Sequence, residues 1–157
     1  MAEKITLTVN QVPYTIEIEG WEHLIDVLRD EIGLTGTKRG CDDLSCGACT
    51  VLMNGEAVKS CQVLAKRASG ADVVTIEALA QGTKLHPIQE ALIESGAVQC
   101  GFCIPGIVMG LHGLFRKKLD ATEAEIADTL ENHLCRCTGY EAIFEGAKLA
   151  QKKLKAR

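Results

Sequence analysis

Aromatic side chains make up only 4% of this 157-residue sequence, one Trp, two Tyr and three Phe. Large stacking anchors are therefore scarce. Basic charge is not in excess: 17 Lys and Arg stand against 21 Asp and Glu, for a net charge of -4. With no basic stripe along the chain, the electrostatic footprint of nucleic-acid binding is missing. No run of 18 apolar residues occurs, so no membrane-spanning helix is expected. The opening MAEKITLTVN lacks the apolar stretch and small-residue cleavage site of a secretory signal, and a cytoplasmic location is expected. G-x-G-x-x-G, a phosphate loop, a pair of catalytic carboxylates and a Ser-His-Asp arrangement are all absent. Nothing here handles a substrate, a flavin or a nicotinamide.

What the chain does have is eight cysteines. Where thiols are kept reduced, patterned cysteines point to metal rather than to disulfides. They fall into two sets of four. Cys41, Cys46, Cys49 and Cys61 are spaced C-x4-C-x2-C-x11-C, and Cys100, Cys103, Cys135 and Cys137 are spaced C-x2-C-x31-C-x-C. The first is the spacing of a plant-type [2Fe-2S] loop. Structural zinc is the alternative for each set taken alone. A Rieske centre needs paired histidines, and His23, His86, His112 and His133 do not supply Cys-His boxes. His133, close to Cys135, is expected to be a helix-end residue with no ligand role.

The residue types around the cysteines suit a cluster. Gly40 and Gly47 flank Cys41 and Cys46, letting the backbone approach inorganic sulfide without a Cβ clash. N–H groups freed in such a loop hydrogen-bond cluster sulfur and tune its potential. In the second set Gly101 and Pro105 read as turn and helix-start residues. The Cys100 pair precedes the Pro105 helix and the Cys135 pair precedes the Gly139 helix. Two helix N-termini would then face one site and favour its negative charge.

Periodicity separates two halves. In the first, Ile5, Leu7 and Val9, then Tyr14, Ile16 and Ile18, alternate as half-buried strands. Leu24, Ile25, Val27 and Leu28 fit a helix face ending before Gly33. Residues 50–53 and 56–60 flank Asn54-Gly55, a hairpin signal, and residues 73–76 read as a last strand. In the second half Pro87 opens a helix, and Ile107, Val108, Leu111, Leu114 and Phe115 continue after Pro105. Thr122 and Glu125 form a capping box before Ile126, Leu130 and Leu134, and Ile143, Phe144 and Ala147 give a fourth helix. The fold class is α+β, a small mixed sheet with a packed helix followed by a four-helix domain. The division falls at residues 1–78 and 79–157. Lys148, Lys152, Lys153, Lys155 and Arg157 read as a solvated helix end.

Gly40 to Val51 (GCDDLSCGACTV), Gln99 to Gly106 (QCGFCIPG) and Cys135 to Tyr140 (CRCTGY) resemble the iron–sulfur subunit of molybdenum hydroxylases, the xanthine dehydrogenase, aldehyde oxidoreductase and carbon monoxide dehydrogenase group. The resemblance runs over nearly the whole chain. It implies a β-grasp plant-type ferredoxin domain, then a four-helix domain, with one [2Fe-2S] cluster in each cysteine set. It implies electrons passing from a molybdenum–pterin cofactor in a large subunit through the Cys100 set and the Cys41 set, towards FAD in a medium subunit or another acceptor. The protein would be the non-catalytic electron-transfer component of a heteromeric oxidoreductase. Gln99 and Cys137 match family positions that contact the pterin. The end of the chain at Arg157 leads to the expectation that molybdenum and flavin parts lie on separate chains. Two departures stand out: Leu44, where many relatives have glycine, and Ile104, where many have a small or hydroxyl residue. The substrate is decided in the molybdenum chain. A free-standing two-cluster carrier is the competing reading.

Overall fold

The computed structural model describes residues 2–157, and Met1 lies outside the described residues. The first half is a five-stranded sheet in the order β2-β1-β5-β3-β4. Strands β1 (Glu3–Val9) and β2 (Val12–Ile18) pair antiparallel, as do β3 (Thr50–Met53) and β4 (Glu56–Lys59). The short β5 (Asp72–Val74) joins them, parallel to β1 and antiparallel to β3. The alternation seen in the sequence is the burial pattern: Ile5, Leu7, Val9, Ile16 and Ile18 face the core while their neighbours face out, as the period-2 geometry of a strand requires.

Both hairpins turn through left-handed residues, the geometry that matches strand twist. Asn54 and Gly55 do so at φ of 52° and 83°, and Asn10 and Gln11 at 51° and 68°. The second turn contains no glycine. Asn10 offsets this with its side chain, which donates to Thr75 Oγ1 and accepts from Thr75 N, both at 2.9 Å. Helix α1 (Leu24–Asp26) runs into a π-helical turn at Val27–Glu31 and buries Leu24, Val27 and Leu28 against the sheet. The last strand is shorter than its apolar run. It ends at Val74, and Ile76–Ala78 forms a 3-10 turn whose Ile76 packs into the other half's core.

Four helices make the second half: α2 (Pro87–Glu94), α3 (Ile104–Lys117), α4 (Glu123–Glu131) and α5 (Glu141–Lys155). Ile88, Leu92, Ile107, Leu111, Ile126 and Ile143 fill their core. Pro87 is the first residue of α2, where its missing N–H costs nothing. The capping box of α4 is formed: Thr122 Oγ1 accepts from Glu125 N at 3.3 Å, and Glu125 accepts from Thr122 N at 2.8 Å. The basic end of α5 is less free than expected. Lys153 pairs with Glu94 at 2.7 Å and Lys148 with Glu145 at 2.7 Å, surface pairs of small energetic weight.

Leu134 departs from the sequence reading. It is not on α4, which stops at Glu131, and it is 57% exposed. The helix ends because side chains take its last carbonyls: Asn132 Nδ2 donates to Asp128 O at 2.8 Å, and His133 Nδ1 lies 2.9 Å from Thr129 O. Among the described residues no helix is long and apolar enough to cross a membrane.

Candidate metal centres

The first set is built by one loop and one hairpin. Residues 40–49 wrap as irregular chain before β3, and β3 and β4 return the backbone so that Cys61, in the 3-10 turn Ser60–Gln62, meets Cys49. Their sulfurs lie 3.2 Å apart. Ser60 fixes this return, its N–H and hydroxyl both donating to Cys49 O, at 3.2 and 2.7 Å. Ile25 of α1 packs on Cys49 and Cys61 from the core side. The other two thiols form a second pair: their side chains are in contact, and the Cys46 N–H donates to Cys41 Sγ at 3.4 Å.

The loop's backbone needs its small residues. Gly47 stands at φ +68°, and a Cβ there would run into the Asn132 carbonyl. At Gly40 a Cβ would meet Phe102 Cε1 at 3.0 Å and Cys46 Sγ at 3.1 Å. Leu44 also stands in the left-handed region, at φ +66°, with its side chain 42% exposed. Its carbonyl accepts from Lys59 Nζ at 2.7 Å. That bond ties the loop to β4 and places a cation beside it.

The second set is assembled from two more distant segments. Cys103 is the N-cap residue of α3, and Gly101 turns the chain just before it at φ +83°. Cys135 and Cys137 come from the segment between α4 and α5. Cys100 and Cys137 sulfurs lie 3.6 Å apart, and Cys103 pairs with Cys135. The four thiols, with Phe102 and Leu134, line a cavity of about 360 Å³ that reaches Gly40 and Cys46 of the first loop. Gln99 Nε2 donates to Cys137 O at 3.3 Å, which brings together the two residues assigned to the pterin by resemblance. Ile104 begins α3 and packs against the helical core. The start of α3 is at the site directly, and α5 meets it through Thr138 and Tyr140. Thr138 Oγ1 is 3.2 Å from Cys135 Sγ. Tyr140, left-handed at φ +74°, accepts from Cys135 N at 2.8 Å and donates to His133 O at 3.0 Å.

All eight thiols are free, and the sulfur distances are far beyond the ~2.05 Å of a disulfide. They meet two by two. A tetrahedral metal with ~2.3 Å bonds to sulfur sets two ligand sulfurs about 3.8 Å apart, close to the 3.2 and 3.6 Å found here. Among the described residues no three His, Cys, Asp or Glu side chains group around a single ion. Two pairs per site are the donor set of a two-iron centre, each iron taking two thiolates. The residues present thus fit [2Fe-2S] clusters better than they fit single zinc ions.

Burial and neighbouring groups shift the thiols in both directions. Burial, then the Cys49 thiol beside it, pushes Cys61 up to about 12, and burial, then Cys135, pushes Cys103 up to about 12. Burial raises Cys46 as well. Cys41 is lowered, chiefly by the Cys46 N–H it accepts. For Cys135 burial acts upwards, but the hydroxyl and N–H of Thr138 bring the thiol below its ordinary value. Four thiolates crowd together only when bound metal offsets their repulsion and desolvation.

Contacts that the sequence reading missed lie between the two halves. Gly106, Gly110 and Gly113 fall on one face of α3, spaced four and three residues apart, where helical neighbours align. Gly106 sits on the Gly47 carbonyl and Ala48, Gly110 on the His133 ring, and Gly113 on Ala57 and Leu52. Each glycine inside a helix costs about 1 kcal/mol relative to alanine. Three on one face of an apolar helix are a legible signal of close packing. They let α3 lie directly on the first loop and on β3 and β4. His133 is buried at 4% exposure, with Nε2 3.3 Å from Thr50 Oγ1.

Residues 7–80 match the family described as 2Fe-2S iron-sulfur cluster binding domain, and residues 75–148 the family described as [2Fe-2S] binding domain. The nicotinate dehydrogenase small FeS subunit of Eubacterium barkeri is 39% identical over 149 residues, 95% of each chain. The xanthine dehydrogenase iron-sulfur-binding subunit of Escherichia coli O157:H7 is 42% identical, covering 90% of this chain and 91% of that one. Among solved structures, aldehyde oxidoreductase from Desulfovibrio gigas superposes with a TM-score of 0.92 at 36% identity. That match takes 98% of this chain and only 17% of the other.

Proposed function

Because the chain belongs to the iron–sulfur subunits of the xanthine dehydrogenase-type molybdenum hydroxylases, we propose that it carries two [2Fe-2S] clusters and relays electrons from a molybdenum–pterin cofactor in a large subunit towards FAD or another acceptor. It is a component of an oxidoreductase, and its own residues hold and connect redox centres. The first centre is assigned to Cys41, Cys46, Cys49 and Cys61, the second to Cys100, Cys103, Cys135 and Cys137. When bound, such a cluster supplies reversible one-electron chemistry.

The carrying observation is the arrangement of eight unbridged thiols as two pairs in each of two sites, with the sites joined by one hydrogen bond. Leu134, the residue before Cys135, donates its N–H to Cys46 O at 2.9 Å. A continuous route of bonds therefore runs from one set to the other. Gly40, Gly47 and Gly101 let the backbone close around the sulfurs. Phe102 lies over Gly40 and lines the cavity between the sets. Cys100 and Cys137 are exposed, so the second site opens at the surface, beside Gln99. This is the face proposed to meet the pterin. The relatives include separate small subunits and a stretch of a much longer chain. Both arrangements support a larger partner; on this reading it is a large molybdenum subunit, joined by a medium flavin subunit in a higher-order heteromer.

Iron and acid-labile sulfide analysis, with paramagnetic resonance of the reduced protein, tests the reading. Four irons per chain and two distinct S = 1/2 signals are expected. Zinc in place of iron, with no signal, would overturn it. Co-purification with large molybdenum and flavin chains is expected, and isolation as a lone monomer with two clusters would favour a free carrier.

A further inference from the structure

His133 touches three elements drawn from both halves of the molecule. Its Nδ1 lies 2.9 Å from Thr129 O of α4 and its Nε2 lies 3.3 Å from Thr50 Oγ1 of β3. Its ring rests on α3 at Gly110, where an added Cβ would come within 2.6 Å of Cε1 and 2.9 Å of Nε2. Thr129 O only accepts, so the ring carries a proton on Nδ1, while Nε2 lies against a Thr50 hydroxyl whose one proton is donated to Gly47 O at 2.7 Å. The segment that His133 opens, 133–135, links both sets. His133 O accepts from Tyr140, Leu134 N donates to Cys46 O, and Cys135 is a thiol of the second set.

We infer that His133, seated in the notch left by Gly110, held against Thr50 and bonded to Thr129 O, is a positioning residue that sets the register between the two thiol sets and thereby the electron exchange between them. The inference rests on the reading that each set holds a cluster. The exchange moves one electron from one centre to the other, with no bond made or broken. The segment 133–135 has no regular secondary structure to hold it, so its position comes from its anchors. The histidine ring is the anchor that reaches the first half through a side chain. The Leu134–Cys46 bond is the one that reaches it through the backbone. Both fall within the first set's own stretch of chain, at Cys46 and at Thr50, the residue after Cys49. Displacing the ring therefore moves Leu134 relative to Cys46. Gly110→Ala must push the ring by roughly 1 Å to restore ordinary carbon contact distance.

The test uses the protein with its clusters as isolated, comparing the parent with Gly110→Ala, His133→Ala and the double variant. Two quantities are read: the magnetic interaction between the reduced clusters, and the rate of intersite electron equilibration after a one-electron pulse. Iron content and each cluster's own g-values serve as controls. Each single variant is expected to change the interaction splitting and slow exchange several-fold, with g-values and iron content retained. In the His133→Ala background, Gly110→Ala is expected to add nothing, because Gly110 acts through the ring. His133→Phe, which keeps a ring in the notch and removes both nitrogens without altering α3, stands in if Gly110→Ala does not fold. An unchanged splitting and rate in the variants, or additive effects of the two substitutions, would overturn the inference. A parent without two iron signals would instead overturn the reading beneath it.

Discussion

The backbone N–H of Leu134 donates to the carbonyl of Cys46 across the two halves of the protein, at 2.9 Å. A residue that reads as part of a helix is instead the bridge between two sites. Its side chain stays exposed because its backbone is what the structure uses. Leu134 lies between His133, which is buried against the other half, and Cys135, which belongs to the second set. From this link and the contacts around it follow predictions about each site separately.

Replacing one thiol should empty one site and leave the other. Cys61→Ser removes half of the close Cys49–Cys61 pair, and Cys103→Ser removes the buried member of the second set. Each variant is expected to hold about half the parent's iron and to lose one of two resonance signals, a different one in each case. Iron analysis and spectra of the two purified variants check this. Loss of the same signal in both would show that the eight thiols are not divided as described.

Tyr140→Phe removes one hydroxyl that serves two backbone groups, accepting from Cys135 N and donating to His133 O. Leaving a part-buried N–H and carbonyl without partners costs about 1–3 kcal/mol. The variant should unfold at lower denaturant concentration and release iron from the second site faster than from the first. Chelator-challenge kinetics followed by visible absorbance distinguish the two sites.

Leu44 holds a left-handed conformation at φ +66°, at a cost of roughly 1–2 kcal/mol for a residue with a Cβ. Leu44→Gly relieves that cost and loses part of the gain to the freer unfolded chain. A net stabilisation of about 0.5–1 kcal/mol is expected from it. Leu44→Ala, which keeps the Cβ, should show none. Equilibrium unfolding of the two variants is the measurement.

His112 of α3 is held down to about 4, first by burial, then by His86 and Arg116. The two rings meet edge to face at 5.0 Å. A histidine whose folded value lies below its unfolded one makes the unfolded state bind more protons as pH falls. Its contribution is therefore steady above about 6.5, declines from 6.5 towards 4, and levels off below that. The residue is only half-buried, so the loss is discounted for solvent screening to about 1–2 kcal/mol. His112→Gln should lose less stability than the parent between pH 7 and pH 5, by on the order of 1 kcal/mol. Melting curves of both proteins across that range decide it.

Much of the architecture was legible because its causes are local. Ile5, Leu7 and Val9 alternate, and they are buried. Asn54-Gly55 turns a hairpin, Pro87 starts a helix, and Thr122 and Glu125 cap one. Local rules failed where a distant partner intervened. The Asn10-Gln11 turn works without glycine because Thr75, far along the chain, binds Asn10. The strand at residues 73–76 stops early because Ile76 is drawn into the helical core. His133 read as a helix end with no ligand role. It lies just past the end of α4, and its contacts were invisible because Thr50 and Gly110 approach it only in the folded chain.

The sequence by itself determined the chemistry: eight thiols in two sets, with the glycines and turns that suit iron and sulfide, because ligand identity and loop spacing are properties of neighbouring residues. The tertiary structure alone decided which thiols meet. Cys49 finds Cys61 only through the β3–β4 hairpin, and Cys100 finds Cys137 only when α3 and α4 have packed. It alone decided how the two sets are joined, because Leu134 and Cys46 are brought together by α3 lying close on its glycine face. Those contacts depend on packing between distant segments, which no local pattern encodes.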